Sequence, residues 1–211
     1  MDPVQYWPQV FVPSSLEHAK SIILSADSTE ESWKRETEET VTSMIEAFAA
    51  ADRPIGPTSL LLDYGCGVGR LSRHLIERTG CTVLGTDIVP KMLEYSVAFV
   101  NSANFIVCPQ RALPTLERQG LRVDGAFAVW VLQHCYDPRV ELDFIARLLG
   151  DAGLLFVVNK TDRFVPVVPD SDWAKWHDDG VDVRSLARAR FDEIRDCGSA
   201  GDNYCALLRK R

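Results

Sequence analysis

Residues 61–70 read LLDYGCGVGR, a strand-like apolar start that ends on Asp63 and runs into Gly65, Gly67 and Gly69, three glycines spaced two apart. Glycine is needed where a turn must be tight or where the backbone must come close to another group. In open α/β sheets, ligands sit beyond the carboxyl ends of the strands, and the first strand-to-helix turn borders that crevice. Two readings are open at this point: a small-molecule site, or a turn that needs glycine for its geometry alone.

Working outward, short apolar runs alternate with helical patterns: SLLLDY, a helix from Arg70, CTVLGTD, a helix from Pro90, NFIVC, VDGAFAVWV, a helix from Pro138, and GLLFVVN. Nearly continuous apolar strands are buried on both faces, which implies a parallel sheet with helices on either side. Pro90 and Pro138 suit first helical positions, Asp137 suits the N-cap, and Gly150 is expected to close the last of these helices. The tail runs FDEIRDC and NYCALLRKR, joined by GSAGD, read as an antiparallel hairpin at the sheet edge. The fold class expected is therefore α/β: a doubly wound, Rossmann-like, mostly parallel seven-stranded sheet with a C-terminal antiparallel hairpin. The stretch between Asn159 and Phe191 is read as an excursion above the sheet.

Upstream, Ser28 and Glu31 form a capping-box pattern, and Trp33, Thr37, Val41, Met44, Ile45 and Phe48 recur at helical spacing until DRPIGP ends the run. Residues 1–54 are read as an N-terminal helical extension or lid packed on the core, and residues 55–211 as the ligand-binding domain.

The second strand, VLGTDI, ends on Asp87, twenty-two residues after Gly65. An acidic residue ~20 positions on is the spacing of a carboxylate that holds ribose hydroxyls, so a nucleoside becomes the favoured ligand; the alternative is that Asp87 caps the helix beginning near Pro90. A dinucleotide fingerprint would need its third glycine at position 70, which is Arg70. Asp63 would repel a pyrophosphate and welcome an ammonium or sulfonium.

These residues resemble the class I S-adenosylmethionine-dependent methyltransferases. LLDYGCGVGRLSRHL looks like that family's first motif, VLGTDIVPKMLEYS its second, FIVCPQRALP its third-strand region and VDGAFAVWVLQHCYDP its fourth. The resemblance implies S-adenosyl-L-methionine as cofactor, with Asp63, Gly65, Cys66, Gly67 and Gly69 around its methionine part. It further implies Asp87 on both ribose hydroxyls, Ile88 against the adenine, and the backbone near Val129 and Trp130 at the methionine end. Many relatives carry an acidic residue for the adenine amino group where this chain reads Cys108-Pro109-Gln110-Arg111, and the Gln110 amide oxygen is the acceptor available there.

Methyl transfer from a sulfonium is a direct displacement, so positioning and exclusion of water matter more than dedicated catalytic groups. A hydroxyl acceptor gains from a general base. His134, after the fourth strand, is the candidate base, and the alternative is a histidine that bonds backbone and shapes the pocket floor. Trp173, Trp176, His177, Asp178 and Asp179 form either a substrate wall or a loop anchor; Tyr6, Trp7 and Trp33 are candidate lid residues. A metal site would have only Asp137, Asn159 and Asp162 to draw on, and Asp137 is better explained as a helix cap, so no metal is expected. The six cysteines include no C-x-x-C pair, which argues against zinc or a disulfide framework.

The chain has 211 residues and a formal net charge of −7, without the basic footprint of a nucleic-acid binder. It shows neither an export signal nor an uninterrupted apolar stretch of about 18 residues, so a cytoplasmic protein with no membrane partner is expected. The expected function is methyl transfer to oxygen, nitrogen or carbon of a small-molecule acceptor. Its rivals are a non-catalytic methyltransferase-like binding or scaffold domain and, with Arg70 against it, a nicotinamide-dependent oxidoreductase.

Overall fold

The structure, a computed structural model, describes residues 6–23, 29–167, 175–178, 180–198 and 203–211, with 175 and 176 described by their backbone alone. Ser28, Trp173, Asp179, the side chain of Trp176 and residues 199–202 of the hairpin link lie outside the described residues.

Nine strands form among the described residues: β1 (Leu60–Tyr64), β2 (Thr82–Asp87), β3 (Phe105–Pro109), β4 (Val123–Val129), β5 (Leu149–Lys160), β6 (Val165–Val167), β7 (Lys175–His177), β8 (Phe191–Asp196) and β9 (Asn203–Lys210). Seven make the main sheet, in the order β3-β2-β1-β4-β5-β9-β8. The first five are parallel, and β9 runs antiparallel to both β5 and β8. The expected terminal hairpin is thus present, with β8 at the edge. Strand order reverses between β1 and β4, which places the binding crevice at their carboxyl ends.

The helices are α1 (Leu16–Ile23), α2 (Glu30–Ala50), α3 (Arg70–Thr79), α4 (Pro90–Val100), α5 (Leu113–Arg118), α6 (Pro138–Leu148) and α7 (Val183–Arg190). Alternate residues of each buried strand feed opposite layers. Leu62, Tyr64, Ala126, Ala128, Leu155 and Val157 pack with Leu142, Ile145 and Leu148 of α6. Leu61, Val83, Phe127 and Phe156 pack with Leu71 and Leu75 of α3 and with Val41, Met44 and Phe48 of α2. The apolar stripe of α2 is therefore part of the core.

Several boundaries differ from expectation for local reasons. The capping box of α2 sits one residue later: Ser32 N donates to Thr29 Oγ1 at 3.1 Å and Thr29 N to Ser32 Oγ at 2.8 Å, while Glu31 lies in the first turn. Gly150 does not close α6; Leu149 turns extended at φ −65°, ψ 134°, and β5 begins there at once, Gly150 included. The short α5 between β3 and β4 has too few residues to show a helical period. The excursion after β5 contains the β6–β7 ribbon and α7. As expected, Asp137 caps α6, its carboxylate accepting from Arg139 N at 3.0 Å. Among the described residues no helix is long and apolar enough to cross a membrane.

Candidate functional site

The glycine loop leaves β1 at Tyr64 and enters α3 at Arg70. Gly65 N and Cys66 N both donate to Thr86 O at 2.8 Å, folding the loop back on β2. Gly65 has φ +77°, and a Cβ there would lie 2.5 Å from Val131 Cγ2, so this position needs glycine for both conformation and close approach. The loop is held from the next strand too: Asp87 Oδ2 accepts from Gly67 N at 3.0 Å and Asp87 Oδ1 from Val89 N at 2.9 Å. Burial raises the Asp87 carboxyl above its ordinary value while these backbone donors oppose the shift. Ile88, beside it, is 48% exposed, an apolar side chain facing solvent at the head of the crevice. Asp87, Ile88, Pro90, Pro109, Gln110 and Arg111 line a hollow there. Another hollow, lined by residues such as Arg53, Ile55 and Asp124, lies away from the glycine loop, at the amino ends of β1 and β4.

Asp63 is buried on the α3 side of β1 and accepts from Ser72 Oγ at 2.6 Å. Burial is the largest influence on it and pushes its carboxyl up to about 7. The Cys66 thiol is also raised well above its ordinary value by burial. A Cβ at Gly85 would lie 3.1 Å from Cys66 Sγ, so the sulfur packs into β2 and Cys66 offers the crevice only its backbone.

Opposite the glycine loop, β4 ends at Val129 and Trp130 follows it. Trp130 has φ +61°, a left-handed conformation unusual for a tryptophan, and its N–H donates to Val158 O at 2.7 Å. Its indole Nε1 donates to Glu36 Oε1 at 2.9 Å. The same carboxylate receives Arg70, with Nη1 2.8 Å from Oε2 and Nη2 3.3 Å from Oε1. Arg70 is buried, gives a further bond to Thr37 Oγ1 at 2.8 Å, and lies over the Trp33 ring at 5.6 Å. Glu36 of α2 thus ties the start of α3 to the end of β4 across the point where strand order reverses. Sequence reasoning missed it, because a glutamate in the Glu-rich start of a helix looks like any solvent-facing charge.

Gln110 Nε2 donates to Glu141 Oε2 at 2.9 Å and to the Tyr64 hydroxyl, and that hydroxyl donates to Glu141. Burial, with Glu141 adding to it, raises the Tyr64 phenol. This bridge from β1 to α6 was not foreseen either, since neither Tyr64 nor Glu141 belongs to a recognisable spacing.

His134 lies in a single 3-10 turn after β4, with Nδ1 2.7 Å from Phe164 O and Nε2 3.1 Å from Gln133 Nε2. Gln133 Oε1 accepts from Lys160 N at 2.7 Å, which fixes the amide so that its nitrogen faces the histidine. A carbonyl on one side and an amide donor on the other define the tautomer: Nδ1 carries the proton and Nε2 accepts. Burial lowers the pKa of the imidazole below its ordinary value. Asn159 is buried and bonded to Gln133 N at 3.1 Å and Lys160 O at 2.9 Å, and Asp137 also pairs with Arg139 at 2.9 Å.

Residues 62–157 match the sequence profile of a family described as "Methyltransferase domain", a span that contains the glycine loop, Asp87, Gln110 and Trp130. Over those residues the chain is similar to that family, and its fold is the one shared by solved class I S-adenosylmethionine-dependent methyltransferases. It is 27% identical over 119 residues to the N-demethylindolmycin N-methyltransferase of Streptomyces griseus, an overlap of 54% of this chain and 48% of that protein. The chain therefore spans about half the length of that curated relative. The structure of magnesium protoporphyrin IX methyltransferase from Synechocystis PCC 6803 with bound SAH (S-adenosylhomocysteine) superposes with a TM-score of 0.63 at 18% identity, covering 96% of this chain and 97% of that chain. The [4+2]-cyclase SpnF superposes with a TM-score of 0.59 at 18% identity over 92% and 66% of the two chains.

Proposed function

We propose that this protein transfers a methyl group from S-adenosylmethionine to a small-molecule acceptor at oxygen, nitrogen or carbon, by in-line displacement. The observation that carries the reading is the Asp87 carboxylate, fixed by two backbone N–H groups between the glycine loop and the exposed Ile88. An ionised carboxylate has about four acceptor sites, so two remain for the adjacent hydroxyls of a ribose. Ile88 offers an apolar face to an adenine. With its nitrogen anchored on Tyr64 and Glu141, Gln110 has its amide oxygen left as an acceptor for the adenine amino group. Gly65, Gly67 and Gly69 let the tight loop backbone border the crevice where the methionine part would lie, Cys66 contributes backbone, and Asp63 supplies a carboxylate nearby. Val129 and Trp130 close the opposite wall. When bound, the cofactor supplies a methyl group on a positively charged sulfur.

His134 fits a pocket wall better than a general base, because its accepting nitrogen already takes a hydrogen bond from Gln133. Ring nitrogen-15 spectra should show the Nδ1-protonated tautomer with a pKa below 6.5. An Nε2-protonated ring titrating at or above that value would restore the base assignment.

Thermal shift tests the cofactor. S-adenosylmethionine and S-adenosylhomocysteine should each stabilise the fold by about 2.7 kcal/mol at a hundredfold excess over the dissociation constant, and NAD and NADP should not. Stabilisation by NAD alone would defeat the reading. Fold does not by itself fix chemistry, as the cyclase shows. Mass-spectrometric detection of a product 14 mass units heavier, about one methylene, together with equimolar S-adenosylhomocysteine, separates methyl transfer from non-catalytic binding.

A further inference from the structure

The antiparallel register of β8 and β9 sets two cysteines opposite each other. It runs Arg195↔Leu207 and Asp196↔Ala206, and Cys197 N then donates to Cys205 O at 2.9 Å, which carries the same pairing one step further. Opposed residues of an antiparallel pair project to one face with Cα atoms about 4.5–5.5 Å apart, inside the range of about 4.4–6.8 Å that a disulfide spans. Both side chains accordingly pack in one apolar cluster, with Val158 and Leu207 among its members. The two thiols are hydrogen-bonded to each other. The pairing has no signature in the sequence, because register rather than spacing makes it.

The two cysteines differ in their chemistry. Cys205 is buried and Cys197 half-buried. The hydrogen bond from Cys205 lowers the Cys197 thiol below its ordinary value against the effect of burial, and the same bond raises Cys205. Burial raises the thiols of Cys66, Cys81, Cys108 and Cys135. The thiolate is the nucleophile, so an oxidant arriving from solvent meets its most reactive sulfur at Cys197, with Cys205 beside it as the resolving partner. The pair also joins the edge strand β8 to the strand that seals β5. Cys205 lies opposite Val158 of β5, whose carbonyl accepts from Trp130 N, so the pair is at the crevice end of the sheet.

We propose that Cys197 and Cys205 form a modification site, a dithiol that a peroxide oxidises to a disulfide, stapling the edge strand β8 to β9. The Cys197 thiolate attacks one oxygen of hydrogen peroxide, the O–O bond breaks, and the hydroxide released takes up the proton that the thiol lost and leaves as water. Cys197 is then a sulfenic acid. The Cys205 sulfur attacks the Cys197 sulfur, the S–O bond breaks, and the hydroxyl group leaves as a second water with the Cys205 proton. Two thiols are thereby oxidised by two electrons and one peroxide is reduced to two waters. Thiol exchange with a reductant reverses the bond.

Mass spectrometry of the full chain after hydrogen peroxide, denaturation and alkylation with iodoacetamide tests the site. Trypsin, cutting after Arg195 and Arg209, releases both cysteines in the peptide 196–209. That peptide should be unalkylated and about 2 mass units lighter than its reduced form, with Cys66, Cys81, Cys108 and Cys135 alkylated, and dithiothreitol should restore both alkylation sites. Cys205→Ser should leave Cys197 as a sulfenic acid captured by dimedone, and Cys197→Ser should leave Cys205 unmodified. The oxidised parent should melt higher than the reduced one by roughly 5 °C. Cys197 is half-buried, so Cys197→Ser still reports if Cys205→Ser does not fold. Full alkylation of the peptide after peroxide, a link to another cysteine or to a second chain, oxidation of Cys205 in Cys197→Ser, or an oxidised chain that melts no higher than the reduced one would overturn the proposal.

Discussion

Asp63 and Asp87 end neighbouring strands with carboxylates in different surroundings, and the difference is measurable. The Asp63 carboxyl is pushed up to about 7 from an ordinary 3.8, chiefly by burial. Between those values the folded chain holds a proton that the unfolded chain has released. Stability should therefore fall as pH rises from about 4 to about 7, by up to about 1.4 kcal/mol per unit from this group, and Asp63→Asn should flatten that slope in thermal melts. A bound cation would favour the ionised form, so S-adenosylmethionine affinity should climb between pH 5.5 and about 7 with proton release on binding. Calorimetry in two buffers of different ionisation enthalpy reads that release directly; none would mean that Asp63 does not feel the cofactor's charge. Asp87 holds backbone on both sides of it, one oxygen binding Val89 N just before α4 and the other the glycine loop at Gly67 N. Asp87→Ala should accordingly lower stability by about 1 kcal/mol and also weaken S-adenosylmethionine at least tenfold, with Asp87→Asn milder on both counts. A lowered melting temperature with unchanged affinity would reduce Asp87 to a cap.

At the scale of elements, α2 does more than cover the sheet. Its Glu36 carboxylate joins Arg70, at the head of α3, to the indole of Trp130, at the end of β4. Removing that carboxylate leaves a buried guanidinium with only Thr37 Oγ1 among these partners, and charge-assisted bonds of this kind contribute about 1.5–3 kcal/mol. With the Glu36 side chain 39% exposed, Glu36→Ala should cost about 2 kcal/mol and Glu36→Gln less. Chemical denaturation gives the stability. The fluorescence of Trp130, isolated by difference from a Trp130→Phe variant, should shift to the red in Glu36→Ala, and an unshifted spectrum would show that the indole is held by packing alone. None of this was legible in the sequence, where Glu36 is one of many acidic residues in EESWKRETEE and its partners lie 34 and 94 positions away. The apolar face of the same helix was legible, since periodicity is a local signal. Its cap was read one residue early, because serines and threonines on either side of Thr29 compete for one role and only the backbone decides between them.

Over the whole molecule, the parts visible in the sequence are those set by burial on both sides of a sheet. The five parallel strands, the terminal hairpin and the loop of Gly65, Gly67 and Gly69 follow from apolar runs and turn chemistry. The bridge of Tyr64, Gln110 and Glu141 does not, because its members meet only once β1, the end of β3 and α6 are packed together. The expected boundary at residue 54 meets the same test. Val41, Met44 and Phe48 of α2 are buried against Leu61, Phe127 and Phe156, and a Cβ at Gly125 would lie 2.6 Å from the Phe48 ring, so the helix seals one face of the sheet. Each of these three side chains gains about 2 kcal/mol from burial, a sum comparable with the ~5–15 kcal/mol that holds a domain folded. By contrast α1 rests on a smaller cluster of Val68, Val89 and Met92, and Ala19 is its one fully buried residue. A chain lacking residues 1–28 should therefore remain soluble and melt cooperatively at a lower temperature. A chain lacking residues 1–54 should expose the Leu61–Phe127–Phe156 face and aggregate or melt without cooperativity. Circular dichroism melts of the two truncations decide the matter: a cooperative transition in the shorter chain would show that the extension is a separable lid and that the strands are sealed without α2.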